Sequence, residues 1–179
     1  MKTEGSGADF VVRAFLDAAI HRLQASTAKI VHCVEQLDDE QLWWRPTPSQ
    51  NSIGNLVLHL CGNLRQWIIA GVGGAPDVRD RPREFAERGP LPRMELRRRL
   101  HSCIGEAGDA LASADCTTLL VPCRIQGFET TPLTAIMDSV THFQGHTQEI
   151  ISLTRQQLGE SYRFHWTPST PEQMSGNAT

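Results

Sequence analysis

Apolar residues recur at helical spacing in four stretches of the chain. From about Phe10 to Leu37, the residues Leu16, Ile20, Leu23, Ile30, Val34 and Leu37 return at intervals of three, four and seven. That is one face of a helix, and Asp9 is placed to cap its start. A second run comes after Asn51 and Ser52, either of which can cap it, and continues to about Ala70. Its apolar face is Ile53, Leu56, Val57, Leu60, Leu64, Trp67 and Ile68, and Gly71 with the Gly73-Gly74-Ala75-Pro76 turn ends it. A third run, from about Pro92 to Ala114, carries Leu96, Leu100, Cys103, Ile104, Ala107 and Leu111. The fourth opens with Thr131 as N-cap and Pro132 at the first position, and Gly159 lies just past its end.

The links between these runs are irregular. Trp43-Trp44-Arg45-Pro46-Thr47-Pro48 cannot continue a helix, since its two prolines remove amide donors and push their predecessors to extended geometry. Residues from about 72 to 91 read as a long polar crossover with Arg79, Arg81 and Arg83. Between Leu119 and Thr131, Val121, Cys123 and Ile125 alternate, Gln126-Gly127 can turn, and Phe128 comes next. This is either a small hairpin or an extended crossover. The expectation is an all-α protein: a four-helix bundle with a long crossover between helices two and three and a short hairpin before helix four. Residues 1–166 are expected to form one domain, with Tyr162, Phe164 and Trp166 pinning the end of the chain to the bundle. Residues 167–179 are expected to be a disordered tail.

Composition narrows the function classes. At 179 residues with 40% hydrophobic and 21% charged positions, the chain can bury a core without disulfides. A net charge of -3 gives no general attraction to nucleic acid or to anionic membranes. Arg97-Arg98-Arg99 and His101 fall mostly off the apolar face and read as a solvated flank; His21 and His32 read as surface residues of helix one. The five cysteines are odd in number, scattered, and never spaced as C-x-x-C, so most read as small buried apolar side chains, while Cys116 and Cys123 lie in a loop-like stretch. No apolar run suffices to span a bilayer, and the polar start has no signal-peptide core, so a cytoplasmic location is expected.

Candidate chemistry sits on helix four. His142 and His146 are four apart, so they differ by about 40° around the axis and by about 6 Å along it. Both imidazoles can reach one ion, by the geometry that serves the two histidines of H-E-x-x-H. They bracket the line of Ala135 and Leu153, at the edge of the apolar arc of Ile136, Val140, Phe143 and Ile150. On helix two, His59 shares a stripe with Asn55, Asn63 and Gln66. Periodicity allows that stripe to face water or to line a polar pocket inside the bundle.

The run Asn51-Ser52-Ile53-Gly54-Asn55-Leu56-Val57-Leu58-His59-Leu60, preceded by Trp43-Trp44-Arg45-Pro46, resembles the first signature of the DinB/YfiT-like superfamily. Ser139-Val140-Thr141-His142-Phe143-Gln144-Gly145-His146-Thr147-Gln148-Glu149-Ile150 resembles the second, and the likeness covers roughly residues 10 to 160. It implies a four-helix bundle with one metal ion on His59, His142 and His146. One position departs from the pattern: many members carry Gln three residues after the last histidine, where this chain has Glu149. Glu149 is a candidate to orient a ligand or to accept a proton, or it is a surface carboxylate.

Three neutral imidazoles suit zinc or nickel above all, with iron or copper as further candidates, and they leave a coordination position for water or substrate. The resemblance implies transfer of a low-molecular-weight thiol to an electrophile, with a thiol-dependent isomerase or a hydrolase as related activities. In that reading Glu149 and Asp138 are the catalytic candidates, and Asn55, Asn63 and Gln66 line the substrate cavity. Asp138 or Glu149 closing the shell as a fourth ligand would instead make the ion structural, in a non-catalytic stress or interaction protein. Leu58 and Ile69, off the core arc of helix two, point to a homodimer.

Overall fold

The computed structural model describes residues 7–89 and 91–166, so the expected disordered tail at 167–179 lies outside the described residues. Among the described residues, six α-helices and one two-stranded sheet succeed one another in chain order: α1 (Gly7–Glu35), α2 (Asp39–Trp43), α3 (Ile53–Leu64), α4 (Arg81–Ala86), α5 (Arg93–Ala112), β1 (Cys123–Ile125), β2 (Phe128–Thr130) and α6 (Pro132–Leu158). The protein is all-α apart from that hairpin. Helix α1 packs on α5 and α6, and α3 packs on the same two helices from the other side. Their shared interior holds Leu16, Leu23, Ile30, Leu56, Leu60, Leu64, Leu96, Leu100, Ile136, Phe143 and Ile150, all essentially without solvent contact. These are the apolar stripes legible in the sequence. Leu58 and Ile69 are half-buried against this core.

Several boundaries differ from the sequence reading. Asp9 lies inside the first turn of α1, where its charge meets the helix dipole, and not at the position before the helix. Helix α1 stops at Glu35, and the separate short α2 begins behind a capping box between Asp38 and Gln41. The final segment of helix two, Arg65–Ala70, is wound as a π-helix, with Gly71 N–H bonding to the Gln66 carbonyl at 3.0 Å. The polar crossover is not structureless, because Asp80 caps α4 and Pro82 stands in its first turn. The end of the chain is held differently as well. Tyr162 packs on the core, but Phe164 and Trp166 are exposed, and the pinning bonds run from His32 and Gln36 to the backbone of Arg163.

Two local devices fix how the α4 segment and the start of α5 lie against α3. Ser52 and Asn55 form a capping box at the start of α3, and the Asn55 amide also donates to the Glu84 carbonyl at 2.8 Å and the Glu87 carbonyl at 3.0 Å. The α4 segment is thereby tied across the face of α3. The Trp43 indole lies against Gly54 and Gly89, at each of which a methyl group would meet the ring at 2.8 Å, and its N–H donates to the Leu91 carbonyl. No helix among the described residues is long and apolar enough to cross a membrane.

Candidate metal centre

Helices α3 and α6 bring three histidines together. The geometry of the H-x-x-x-H pair on α6 places the His142 and His146 rings 4.5 Å apart, and the His59 ring lies 5.0 and 5.2 Å from them. His59 Nε2 and His142 Nε2 are 2.9 Å apart, and one nitrogen from each ring falls within 4.8 Å of the others. Donors about 2.0 Å from a tetrahedral ion stand about 3.3 Å from one another, so this spread suits a shared ion. The cluster could therefore hold a divalent metal.

Two of the rings are oriented from behind by carboxylates. His59 Nδ1 is 3.0 Å from Glu84 Oε2 and 3.1 Å from Arg79 Nη2, and the tautomer that donates to the carboxylate turns its Nε2 lone pair toward the cluster. Glu84 is in turn gripped by Arg79, with Nε to Oε1 at 2.7 Å and Nη2 to Oε2 at 2.9 Å. Both partners are buried, the side chains retaining 2% and 9% of their exposure. Burial alone would raise the Glu84 pKa, but the hydrogen bonds and charges of Arg79 and His59 prevail and hold it below the ordinary carboxylate value. Arg79 also donates to Gln66 Oε1 at 3.0 Å, and Gln66 donates to Asp77 at 2.8 Å. On α6, Glu149 sits one turn beyond His146 and holds its Nδ1 at 2.7 Å.

The third ring, His142, is kept neutral. Burial, then the charges of His146 and His59, then Arg79 and Arg81, push its pKa down to about 4 from 6.5. Its folded pKa lies below the unfolded one, so the unfolded chain takes up this proton first as the solution is acidified. The contribution of neutral His142 to stability is complete above about pH 6.5 and is lost between about 6.5 and 4. Metal-free protein in a chelating buffer is expected to show a falling unfolding midpoint across that window. A His142→Ala variant should lose less over the same range, which calorimetry at a series of pH values measures.

A solvent-open cleft of about 720 Å³ adjoins the cluster, walled by His59, His142, Asn63, Asp138 and Ser139, with Trp67, Gln126 and Phe128 at its aromatic side. The hairpin supplies that side. Gln126 takes a left-handed φ of 53°, unusual for a residue with a side chain, and its Oε1 accepts from the Trp67 indole at 3.2 Å, while Phe128 stacks on Trp67. The Ser139 side chain belongs to the same wall, and its hydroxyl, closed off from solvent, has no hydrogen-bond partner among the described residues.

The sequence-predicted residues therefore separate. His59, His142 and His146 come together, Glu149 stands behind His146, and Asp138 and Asn63 line the cleft. Asn55 is fully buried under α4, and Gln66 is occupied by Arg79 and Asp77. Glu84 and Phe85 were not named from the sequence, and Arg79 and Arg81 were read only as charges of a polar crossover. The signal available there was Asp80 followed by Pro82, a helix start.

Residues 11–169 match the family described as "Protein of unknown function (DUF1572)". The chain belongs to that family. No curated protein matches the sequence. Among solved structures, a conserved protein of a locus from Enterococcus faecalis is similar, with a TM-score of 0.66 at 14% identity. That similarity covers 80% of this chain and 96% of the other, and at such low identity it speaks for the fold alone.

Proposed function

We propose that this DUF1572 protein is a DinB/YfiT-like four-helix bundle that binds one divalent ion on His59, His142 and His146, and that it transfers a small thiol to an electrophile. The observation that carries this reading is the pairing of a three-histidine cluster with an open cleft that has an aromatic side and a carboxylate, Asp138, in its wall. Zinc or nickel suits three neutral imidazoles. Such an ion, when bound, supplies Lewis acidity that lowers the pKa of a coordinated thiol.

The chain's own residues would do the rest. Glu84 and Glu149 fix the tautomers of His59 and His146, so that each keeps a lone pair for the ion. The thiol proton leaves toward Asp138 or solvent, the sulfur forms a new bond to carbon, and the bond from that carbon to its leaving group breaks with its electron pair. The aromatic side of the cleft, Trp67 and Phe128, provides apolar surface for the electrophile.

The test is a screen of zinc- or nickel-loaded protein with glutathione or cysteine against 1-chloro-2,4-dinitrobenzene. Conjugation is expected to require the metal and to vanish in the His59/His142/His146 triple alanine variant while its circular dichroism stays helical. Equal rates with and without the three histidines would sink the proposal.

A further inference from the structure

Arg81 carries a charge that the fold itself does not use. It is exposed at the start of α4, and among the described residues no carboxylate lies within ion-pairing distance of it. Its neighbour Arg79 is occupied by Glu84 and Gln66, but the Arg81 guanidinium only lies over the Phe85 ring, 5.0 Å from its centroid. Phe85 in turn packs on the His59 imidazole, ring to ring at 4.8 Å. The stack Arg81–Phe85–His59 thus holds a cation at the edge of the cluster, and Arg81 lines the same cleft as His59, His142 and Ser139. A guanidinium held over a ring by cation–π attraction still has N–H donors to offer, and their fork matches an oxyanion in geometry.

The cleft also contains Asp138, the internal partner that could have neutralised this charge, yet the two form no ion pair. An arginine without a carboxylate partner among the described residues therefore lines a cavity beside one candidate metal site, and its free donors suit an anionic group on a bound molecule.

We propose that the cleft selects small thiols bearing a carboxylate, with Arg81 pairing the carboxylate while the sulfur is directed to the histidine cluster. This rests on the reading of the protein as a metal-dependent thiol transferase and adds a specificity residue to it.

Two thiols of equal length, 3-mercaptopropionate and 3-mercapto-1-propanol, separate the two ideas. Each is titrated into cobalt(II)-loaded protein, and binding is read from the sulfur-to-cobalt absorption. The carboxylated thiol is expected to bind about tenfold more tightly, the scale of one charge-assisted contact. In Arg81→Gln the preference should shrink to about threefold or less with cobalt stoichiometry unchanged, and Arg81→Lys should retain part of it. An undiminished preference in Arg81→Gln would mean that the ion's own charge draws the anion, and would overturn the role of Arg81. So would equal affinity of the unaltered protein for both thiols. Cobalt binding without a sulfur band from either thiol would overturn the thiol reading, and failure to bind cobalt would overturn the metal site; this inference falls with either.

Discussion

His142→Ala is expected to leave the protein unable to retain a divalent ion through gel filtration, where the unaltered chain should carry close to one. His142 is the ring through which the cluster is assembled. Its Nε2 lies 2.9 Å from that of His59, and it is the closest ring to His146. Structural metal sites bind with roughly 10–16 kcal/mol spread over about four ligands, so one ligand accounts for roughly 3–4 kcal/mol, or about 10²–10³ in affinity. With only three histidines to begin with, and no protein donor among the described residues grouped with them, a loss of that size takes the site below useful affinity. The fold should survive, since the α6 residues that fill the core are Ile136, Val140, Phe143 and Ile150, and His142 is only half-buried beside them. Metal content by mass spectrometry together with circular dichroism checks both halves of the expectation. A folded His142→Ala protein with one tightly held ion would show that the cluster is not the binding site.

That the α6 pair could be read from spacing alone, and His59 only through the family resemblance, has a physical reason. Helix α6 is self-describing: Thr131 and Pro132 start it, Gly159 ends it, and a spacing of four puts two imidazoles on one side whatever the helix packs against. His59 and its stripe are different. Asn55, His59, Asn63 and Gln66 share one side of α3 and the π segment, and a helical wheel cannot tell which of them meets a cavity. What decides is the segment 77–87 crossing that stripe, a contact between parts of the chain about 25 residues apart. It buries Asn55 under two carbonyls, gives Gln66 to Arg79, and leaves Asn63 in the cleft. The same crossing delivers Glu84 to His59. Helix α4 is only six residues long, too short for periodicity to mark, and its mixed charges resemble any solvated loop.

Glu84→Ala should be the most damaging change outside the histidines, in both stability and metal affinity. The carboxylate and the Arg79 guanidinium are both nearly inaccessible, so removing the carboxylate leaves the guanidinium buried without a counter-charge, with only Gln66 and His59 beside it. Breaking such a pair costs about 3–5 kcal/mol. The same substitution leaves His59 Nδ1 facing only the Arg79 guanidinium, and loss of an orienting carboxylate typically weakens a metal site by about 10- to 100-fold. Stability and site are entangled in that variant, but Gly62 separates them. Gly62 lies on α3 one turn past Leu58, and a methyl group there would overlap the Glu84 carboxylate and displace it without removing any polar side chain of the site. Alanine at a helical glycine would ordinarily stabilise by about 1 kcal/mol. If Glu84 matters chiefly by aiming His59, Gly62→Ala should lose metal affinity by a similar 10- to 100-fold factor. Its thermal unfolding should suffer much less than that of Glu84→Ala, because the displaced carboxylate can still reach water and Arg79. Isothermal titration of zinc into both variants, alongside their melting curves, gives the comparison. Unaltered zinc affinity in a folded Gly62→Ala protein would mean that His59 does not depend on Glu84 for its orientation.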